Sequence, residues 1–318
     1  MTIGIETRGL TCRYGDLSAV DDLSLSIPAG TLCGLLGRNG SGKSTLLATV
    51  AAFQRPSDGT LLVGGEDPFE NPGVVEQICL VRETGDIDSD CSVSDALWLS
   101  QLLRPNWDQD YALELLDAFE VPLDKNVKAL SLGQRSAVAS TIGLASRAPL
   151  TLFDETYLGL DAVSRRRFYD ELLGEYLRSG RTFVISSHLI GEIAPLLERV
   201  VVLDHGRLTL DADAESLRGQ GMSVTGPTEL VDEATVGTTV LHERRLGPTR
   251  RVTILGTVDD ETRRRLGARG LEFGPVPLED LLVHLTDVGG DVQLSDPDDA
   301  PTHRHAGGPR PTVTEESR

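Results

Sequence analysis

A glycine-rich segment, Gly37-Arg38-Asn39-Gly40-Ser41-Gly42-Lys43-Ser44-Thr45, follows the short apolar run Leu32–Leu36 and matches the pattern G-x-x-x-x-G-K-[ST]. Glycines at these positions let successive backbone N–H groups turn toward an anion, and a helix that starts here adds its partial positive charge. The Lys43 ammonium can neutralise phosphate oxygens, and the Ser44 hydroxyl can ligate Mg²⁺. The segment therefore predicts a phosphate loop that binds a nucleoside triphosphate.

Three further motifs follow in order. Leu130-Ser131-Leu132-Gly133-Gln134 precedes a stretch of helical character over 135–146, the apolar strand 150–153 leads into Asp154 and Glu155, and Ser186-Ser187-His188 ends the next strand. Each motif alone is more often structural than functional. Phosphoryl transfer to water needs Mg²⁺, a cation and a group that orients the water, and adjacent carboxylates at a strand end point different ways. The joint order of the motifs therefore indicates one phosphoryl-transfer site.

Together these motifs resemble the ATP-binding cassette of ABC transporters, over about Ile3 to Leu217. The resemblance implies ATP as the nucleotide, Mg²⁺ as the metal and ATP hydrolysis as the reaction. It implies that Asp154 holds the Mg²⁺ shell, that Glu155 polarises the attacking water and that His188 contacts the γ-phosphate.

The same resemblance implies roles for residues outside the phosphate loop. Tyr14 matches an aromatic residue that stacks on adenine. Ser131 and Gly133, with Gln134 of the same signature, would close over the nucleotide of a second subunit. Asp161 matches a loop that signals between the two sites of a dimer. These assignments complete the predicted ATP-binding set.

The chain departs from the common family pattern at four places. Leu132 stands where glycine is usual, Thr156 where proline is common, and Tyr157-Leu158 where a small polar pair is expected. Glu83 replaces the usual glutamine and is our third predicted Mg²⁺ ligand, but it adds negative charge beside the γ-phosphate. An alternative is a nucleotide-sensing regulatory subunit that hydrolyses ATP weakly. A rise to ordinary turnover in the Glu83→Gln variant would favour this alternative over an ordinary ATPase.

The leading hypothesis is an ATPase subunit that dimerises around two Mg-ATP and powers a separately encoded membrane subunit of an exporter. The dimer is homomeric or heteromeric, and the subunit is cytoplasmic and peripheral on the inner face of the cell membrane. The alternative is a non-transport ABC ATPase of the translation or DNA-repair type. A single cassette and a net charge of −19 disfavour a nucleic-acid partner, because binding a phosphate backbone needs a basic face.

Strands that alternate with helices predict an α/β fold, a P-loop NTPase with a mixed, mainly parallel sheet and an N-terminal antiparallel β part. We expect the cassette to span 1–218, with a helical insertion over about 86–147. A small α+β accessory module is expected over 219–288, and 289–318 is expected to be a disordered tail because it is rich in Asp, Pro, Gly and Thr. One helix is predicted over 189–197.

The acidic residues are concentrated in one region of the chain. Residues 66–124 carry 15 acidic residues against Arg82 and Arg104. Two interpretations stay open: a docking surface for a basic partner, and a solvated face that aids solubility. The arginine clusters at 244–245, 250–251 and 263–265 are predicted to be solvated or paired with nearby acids.

Two further observations bear on location. No apolar run approaches the roughly 20 residues of a membrane-spanning helix. Four scattered cysteines, with no C-x-x-C pair, predict reduced and mostly buried thiols and no zinc site.

Overall fold

The computed structural model describes residues 2–82, 87 and 89–288, without the side chains of 286–288. Glu83 and the predicted tail therefore lie outside the described residues. The strands are β1 (Ile5–Tyr14), β2 (Leu17–Ile27), β3 (Leu32–Leu36), β4 (Asp58–Val63), β5 (Ile78–Arg82), β6 (Leu150–Asp154), β7 (Thr182–Ser187), β8 (Arg199–Asp204), β9 (Arg207–Asp213), β10 (Gly221–Pro227), β11 (Thr239–Leu246), β12 (Thr249–Leu255) and β13 (Glu272–Pro275). The helices are α1 (Lys43–Val50), α2 (Pro72–Val75), α3 (Val93–Leu103), α4 (Gln109–Ala118), α5 (Leu132–Ala145), α6 (Ala162–Ser179), α7 (Ile190–Ile193), α8 (Ala214–Leu217), α9 (Thr228–Ala234), α10 (Asp260–Gly267) and α11 (Leu278–Val288).

The central sheet has the strand order β5-β6-β7-β3-β8-β9. Strands β3, β5, β6, β7 and β8 pair in parallel, and β9 pairs antiparallel with β8. The short apolar runs of β3, β6 and β7 are fully buried, as expected for parallel strands covered on both faces. The predicted α/β fold with a mixed, mainly parallel sheet is confirmed. Strand β9 was not predicted, because it lies at the sheet edge and alternates only weakly in burial.

The N-terminal antiparallel part is a separate sheet of order β2-β1-β4. Tyr14 pairs with Leu17 across a tight turn in which Gly15 takes a φ of +60°, which glycine adopts without strain. Apolar side chains of this sheet pack against α1 and one face of the central sheet, in a cluster that includes Leu10, Leu23 and Leu47. The sheet therefore supports the helix that follows the predicted phosphate loop.

Helices α3, α4 and α5 lie in the stretch where a helical insertion is predicted. Helix α5 begins at Leu132 and not at Arg135, so the helix start predicted from the sequence was wrong by three residues. The Ser131 hydroxyl accepts the Gln134 N–H at 3.1 Å, and the Gln134 side chain accepts the Ser131 N–H at 3.2 Å. This capping box satisfies two helix N–H groups and starts the helix inside the signature motif.

The single helix predicted over 189–197 was also wrong. Helix α7 ends at Ile193, and a 3₁₀ turn follows over Ala194–Leu196. Pro195 lacks an N–H and would clash with the preceding turn of a continuous helix, which explains the break.

The C-terminal strands form a third, antiparallel sheet of order β11-β12-β10-β13. Helices α9 and α10 cover it over a cluster of its own that includes Val224, Val252 and Leu266. The sequence pattern predicts strands near 238–241 and 251–255 and helices over 261–268 and 278–285, and the structure has β11, β12, α10 and α11 near these positions. Strands β10 and β13 and helix α9 were not predicted. Leu281 and Leu285 of α11 belong to the main cluster that contains Ile193 of α7. The division of the chain at residue 218 stays a prediction.

Candidate nucleotide site

The predicted phosphate loop connects β3 to α1, and its backbone requires glycine at two positions. Gly42 caps α1 with a φ of +100°, and a Cβ there would lie 2.3 Å from the Ala19 carbonyl oxygen. Gly37 has a φ of +148°, and a Cβ there would lie 2.5 Å from the Ser41 Oγ. Ser41 is buried, and its hydroxyl has no hydrogen-bond partner within the described residues. The loop thus folds tightly around the N-terminus of a helix, the geometry that binds phosphates.

Lys43 lies at the centre of this loop and is only 4% exposed. Its Nζ donates to the carbonyl oxygens of Gly37 at 2.8 Å and of Arg38 at 3.1 Å. Burial lowers the pKa of Lys43, while the nearby Glu155 and Asp154 carboxylates act in the opposite direction. The ammonium is therefore held inside the loop, where it can neutralise phosphate oxygens.

The predicted carboxylate pair lies at the end of β6, beside the end of β7. One hydroxyl joins its two members: Ser186 Oγ donates to Asp154 Oδ1 at 2.6 Å and accepts the Glu155 N–H at 3.1 Å. Glu155 has a φ of +51°, a left-handed conformation that is uncommon for residues other than glycine. The buried Asp154 and the half-buried Glu155 therefore separate in direction immediately after the strand.

The Glu155 side chain also lies close to two other predicted site residues, Lys43 and His188. Its Oε1 lies 3.8 Å from the Lys43 Nζ, and its Oε2 lies 3.3 Å from the His188 Nδ1. Strands β6, β7 and β3 are neighbours in the parallel sheet, so their carboxyl ends bring these three side chains to one edge. In open α/β sheets this edge is where ligands bind.

A cavity of about 610 Å³ opens over the loop and is lined by Asn39 through Thr45 and by Glu155. Tyr14 lines it too and is 55% exposed, with its hydroxyl hydrogen-bonded to Gln54. Two further lining residues, Ala19 and His205, come from the β1–β2 sheet and the β8–β9 turn. The sequence carried no motif for them, since only the fold brings these segments to the loop.

The signature residues do not line this cavity. A Cβ on Gly133 would lie 3.0 Å from the Gly159 carbonyl oxygen, so the signature lies against the loop that leads to Asp161. Asp161 caps α6 by accepting the Ser164 N–H at 2.8 Å. Hydrogen bonding with Ser164 lowers the pKa of Asp161. Ser131, Gly133 and Asp161 thus form a second group of predicted site residues, separate from the phosphate loop in the same chain.

The residues around the loop fit a magnesium ion bound together with a nucleotide. Mg²⁺ prefers hard oxygen ligands and keeps several waters, so one hydroxyl and one carboxylate suffice beside phosphate oxygens. Ser44 lines the cavity, and the Asp154 carboxylate is joined through Ser186 to the backbone of Glu155, which also lines the cavity. Within the described residues no group of three or more His, Cys, Asp or Glu could hold a metal by itself. Glu83 lies outside the described residues.

Replacing Ser186 with alanine is expected to lower kcat about tenfold or more and to change ATP affinity by less than about threefold. The hydroxyl makes a charge-assisted hydrogen bond to Asp154 and holds the Glu155 backbone, and such bonds contribute about 1.5–3 kcal/mol. Steady-state ATPase assays and nucleotide titration measure the two quantities. Ser140→Ala is the matched control, since Ser140 is buried and its hydroxyl has no hydrogen-bond partner among the described residues. Equal kcat for Ser186→Ala and the parent would contradict the proposed positioning role.

The fold and the loop together define a P-loop nucleotide-binding protein. The ABC transporter family profile matches residues 20–157. The daunorubicin/doxorubicin resistance ATP-binding protein DrrA of Streptomyces peucetius is 31% identical over 68% of this chain and 67% of its own length. The spermidine/putrescine import ATP-binding protein PotA of Nitrosomonas europaea is 33% identical over 64% of this chain and 58% of its own length.

Solved structures agree in fold. An ATP-binding subunit of an ABC transporter matches with a TM-score of 0.63 at 18% identity, over 89% of this chain and 99% of that chain. The cassette MJ0796, in a dimeric post-hydrolysis state with ADP and Pi, matches with a TM-score of 0.59 at 20% identity, over 66% of this chain and 98% of that chain. The chain belongs to the ATP-binding subunits of the ABC transporter family and is an ATPase. No helix within the described residues is long and apolar enough to cross a bilayer.

Proposed function

We propose that this chain is the ATPase subunit of an ABC exporter, which closes as a dimer around two Mg-ATP and drives a separate membrane subunit. The observation that carries this proposal is the cluster of Lys43, Glu155 and His188 at one edge of the sheet. In it Lys43 neutralises phosphate oxygens, Glu155 polarises the attacking water and His188 contacts the γ-phosphate while it holds Glu155. Asp154 and Ser44 would hold Mg²⁺, which would supply charge neutralisation of the transferred phosphoryl group when bound.

The dimer is supported by the position of the signature residues. Ser131 and Gly133 do not line the phosphate-loop cavity of their own chain, and Ser131 is exposed at the start of α5. A second copy, or another cassette, brings such a surface to the open side of the cavity. The similar cassette MJ0796 is a dimer in its solved structure.

Export as the direction of transport is supported by the similarity to DrrA, a drug-resistance protein. The import protein PotA has a similar identity but shares a smaller part of its length with this chain. The neighbouring reading frames give a direct test. A polytopic membrane protein without a secreted solute-binding protein supports export, and a solute-binding protein in the same operon contradicts it. In either case the subunit is peripheral on the inner face of the membrane.

The contact with the membrane subunit is proposed to use an apolar groove between β5, α3 and α5. The groove has a volume of about 420 Å³ and is lined by residues that include Val81, Leu99 and Ile142. Helix α3 presents large exposed apolar side chains at its surface: Trp98 (64%), Leu99 (47%), Leu102 (68%) and Leu103 (60%). Contiguous exposed apolar side chains of this kind mark interaction sites.

The charge around the groove indicates the chemistry of its occupant. Asp95 and Arg104 both line the groove, and the surrounding stretch 66–124 is strongly acidic, with 15 acidic residues against two basic ones. Complementary charge steers association and fixes register. The occupant is therefore a cytoplasmic helical segment of the membrane subunit with an apolar face and flanking Arg or Lys. Asp86 and Asp88 of this stretch lie outside the described residues.

Replacing Leu99 with glutamate is expected to weaken recruitment of the purified chain to membranes that contain the membrane subunit by about tenfold or more. A charge placed among desolvated apolar contacts is unfavourable, and central contacts carry most of the binding energy. Flotation with native membrane vesicles measures recruitment, and basal ATPase activity checks the fold. Leu177→Glu is the control, since Leu177 is 74% exposed on α6 and does not line the groove. Equal recruitment of both variants contradicts the docking site.

A further inference from the structure

A separate cavity of about 220 Å³ lies in the C-terminal part of the chain. Its floor is one face of the β11–β12 ladder, and its wall comprises Pro275–Pro277 and the first turns of α11. The volume is several times the roughly 30 Å³ that one water molecule occupies. It is lined by two histidines, two arginines, one threonine and one aspartate: His242, His284, Arg244, Arg251, Thr253 and Asp280. None of these residues belongs to the nucleotide site.

The floor of this cavity places two like charges side by side. Arg244 is directly opposite Arg251 in the antiparallel register, and His242 is directly opposite Thr253. Side chains alternate along a strand, so these four residues share one face of the sheet. Like charges directly opposite each other destabilise a strand pair. Within the part of the chain that the structure describes, no carboxylate forms an ion pair with Arg244 or Arg251.

On the opposite face of the same ladder, a second pair of opposed arginines is neutralised by carboxylate. Arg245 is directly opposite Arg250. The Glu243 carboxylate bridges them, with Oε1 at 2.6 Å from the Arg245 Nε and Oε2 at 2.8 Å from an Arg250 terminal nitrogen. Two arginines opposite each other thus form a bidentate oxyanion site in this sheet, and on this face the chain fills it with the bridging Glu243 carboxylate, while Asp232 also pairs with Arg250.

The rest of the cavity adds donors suited to the same chemistry. The rings of His242 and His284 stack with centroids 4.4 Å apart and planes 5° apart, and an imidazole carries at least one N–H donor. Thr253 is 7% exposed, and no hydrogen bond within the described residues uses its hydroxyl. Asp280, in the first turn of α11, is the one carboxylate of the lining, so two guanidinium charges exceed its single negative charge.

We propose that this cavity binds a small oxyanionic ligand, whose phosphate or carboxylate group bridges Arg244 and Arg251 as Glu243 bridges the pair on the opposite face. The Thr253 hydroxyl and an imidazole N–H donate to the remaining oxygens. The ligand neutralises the repulsion between the two guanidinium groups, which gives the site affinity for an oxyanion over a neutral molecule of the same size.

Titration of the full chain, labelled with ¹³C at its histidine rings, tests this site. Saturating MgADP fills the phosphate loop, and inorganic phosphate or succinate is added at constant ionic strength set with chloride. We expect saturable shifts of the His242 and His284 ring signals, assigned with single His→Gln variants. Tighter binding of phosphate identifies a phosphate ligand, and tighter binding of succinate identifies a carboxylate ligand.

Arg244→Gln and Arg251→Gln are each expected to weaken oxyanion binding about tenfold or more, because a charge-assisted bidentate contact is lost. Arg245→Gln, which alters the opposite face of the same ladder, is expected to leave the affinity within about twofold. Three results would overturn the proposal: no shift of either histidine, equal shifts with chloride alone, or unchanged affinity in both cavity variants while circular dichroism reports a folded chain.

Discussion

Replacing Glu155 with glutamine is expected to lower kcat for ATP hydrolysis by about 10²–10⁴-fold while ATP still binds. The carboxylate lies 3.8 Å from the Lys43 Nζ and 3.3 Å from the His188 Nδ1, and a positioned general base contributes a factor of this size. The glutamine keeps the shape of the side chain but does not accept a proton from water. Phosphate release measures turnover, and a fluorescent ATP analogue measures binding.

The same variant tests the proposed dimer. A cassette that binds ATP without hydrolysing it is expected to accumulate as an ATP-bound dimer, which light scattering after size exclusion detects. Glu114→Gln, an exposed acid on α4, is the control and keeps parental turnover and mass. If the parent hydrolyses no Mg-ATP and Glu155→Gln yields no dimer with ATP, both the catalytic assignment and the dimer are wrong.

Replacing Glu175 with glutamine is expected to reduce the free energy of unfolding by about 3–5 kcal/mol. Glu175 is 2% exposed and Arg181 is 6% exposed, and their side chains form an ion pair at 3.0 Å. Arg181 also donates to the carbonyl oxygens of Leu144 and Ala148, so through Glu175 it joins α6 to the last turn of α5 and to the segment before β6. Burial lowers the pKa of Arg181, and Glu175 opposes that effect. Removing the carboxylate leaves a buried cation without its counter-charge.

Denaturation in urea, followed by circular dichroism, measures this loss. Asp170→Asn, an exposed acid on the same helix, is expected to change the free energy of unfolding by less than about 0.5 kcal/mol. The double variant that combines Glu175→Leu with Arg181→Met is expected to recover most of the loss, because no buried charge is left. A loss below about 1 kcal/mol for Glu175→Gln would show that water or rearrangement compensates the cation.

The helical and extended segments near the site were predictable where the signal is local. The buried apolar run Leu150–Phe153 predicted β6 to within one residue, since strands of a parallel sheet buried on both faces carry such runs. The start of α5 was predicted three residues late, because its capping box depends on hydrogen bonds between Ser131 and Gln134 that the apolar pattern does not reveal. Edge strands such as β9 and β13 were missed, because half-exposed strands carry little apolar alternation.

The acidic composition of the chain was also only partly interpretable from sequence. It located negative charge in 66–124, but only the fold brings the exposed apolar side chains of α3, which lies in that stretch, together with Ala139 and Ile142 of α5 in one groove. The arginine clusters divide in the same way. Arg245 and Arg250 share the Glu243 carboxylate, as predicted for ion-paired clusters, whereas Arg244 and Arg251 face a cavity with a histidine pair.

By itself, the sequence determined the linear motifs: the phosphate loop with Lys43, the carboxylates Asp154 and Glu155, and the histidine at 188. These depend on residue types at short spacing, where backbone conformation and local hydrogen bonds suffice. Only the tertiary structure decided that Ser186 joins both carboxylates and that Arg244 and Arg251 share a cavity with His284 of α11. Such contacts join residues far apart in the chain, and they form only when packing of the apolar core brings their strands and helices together.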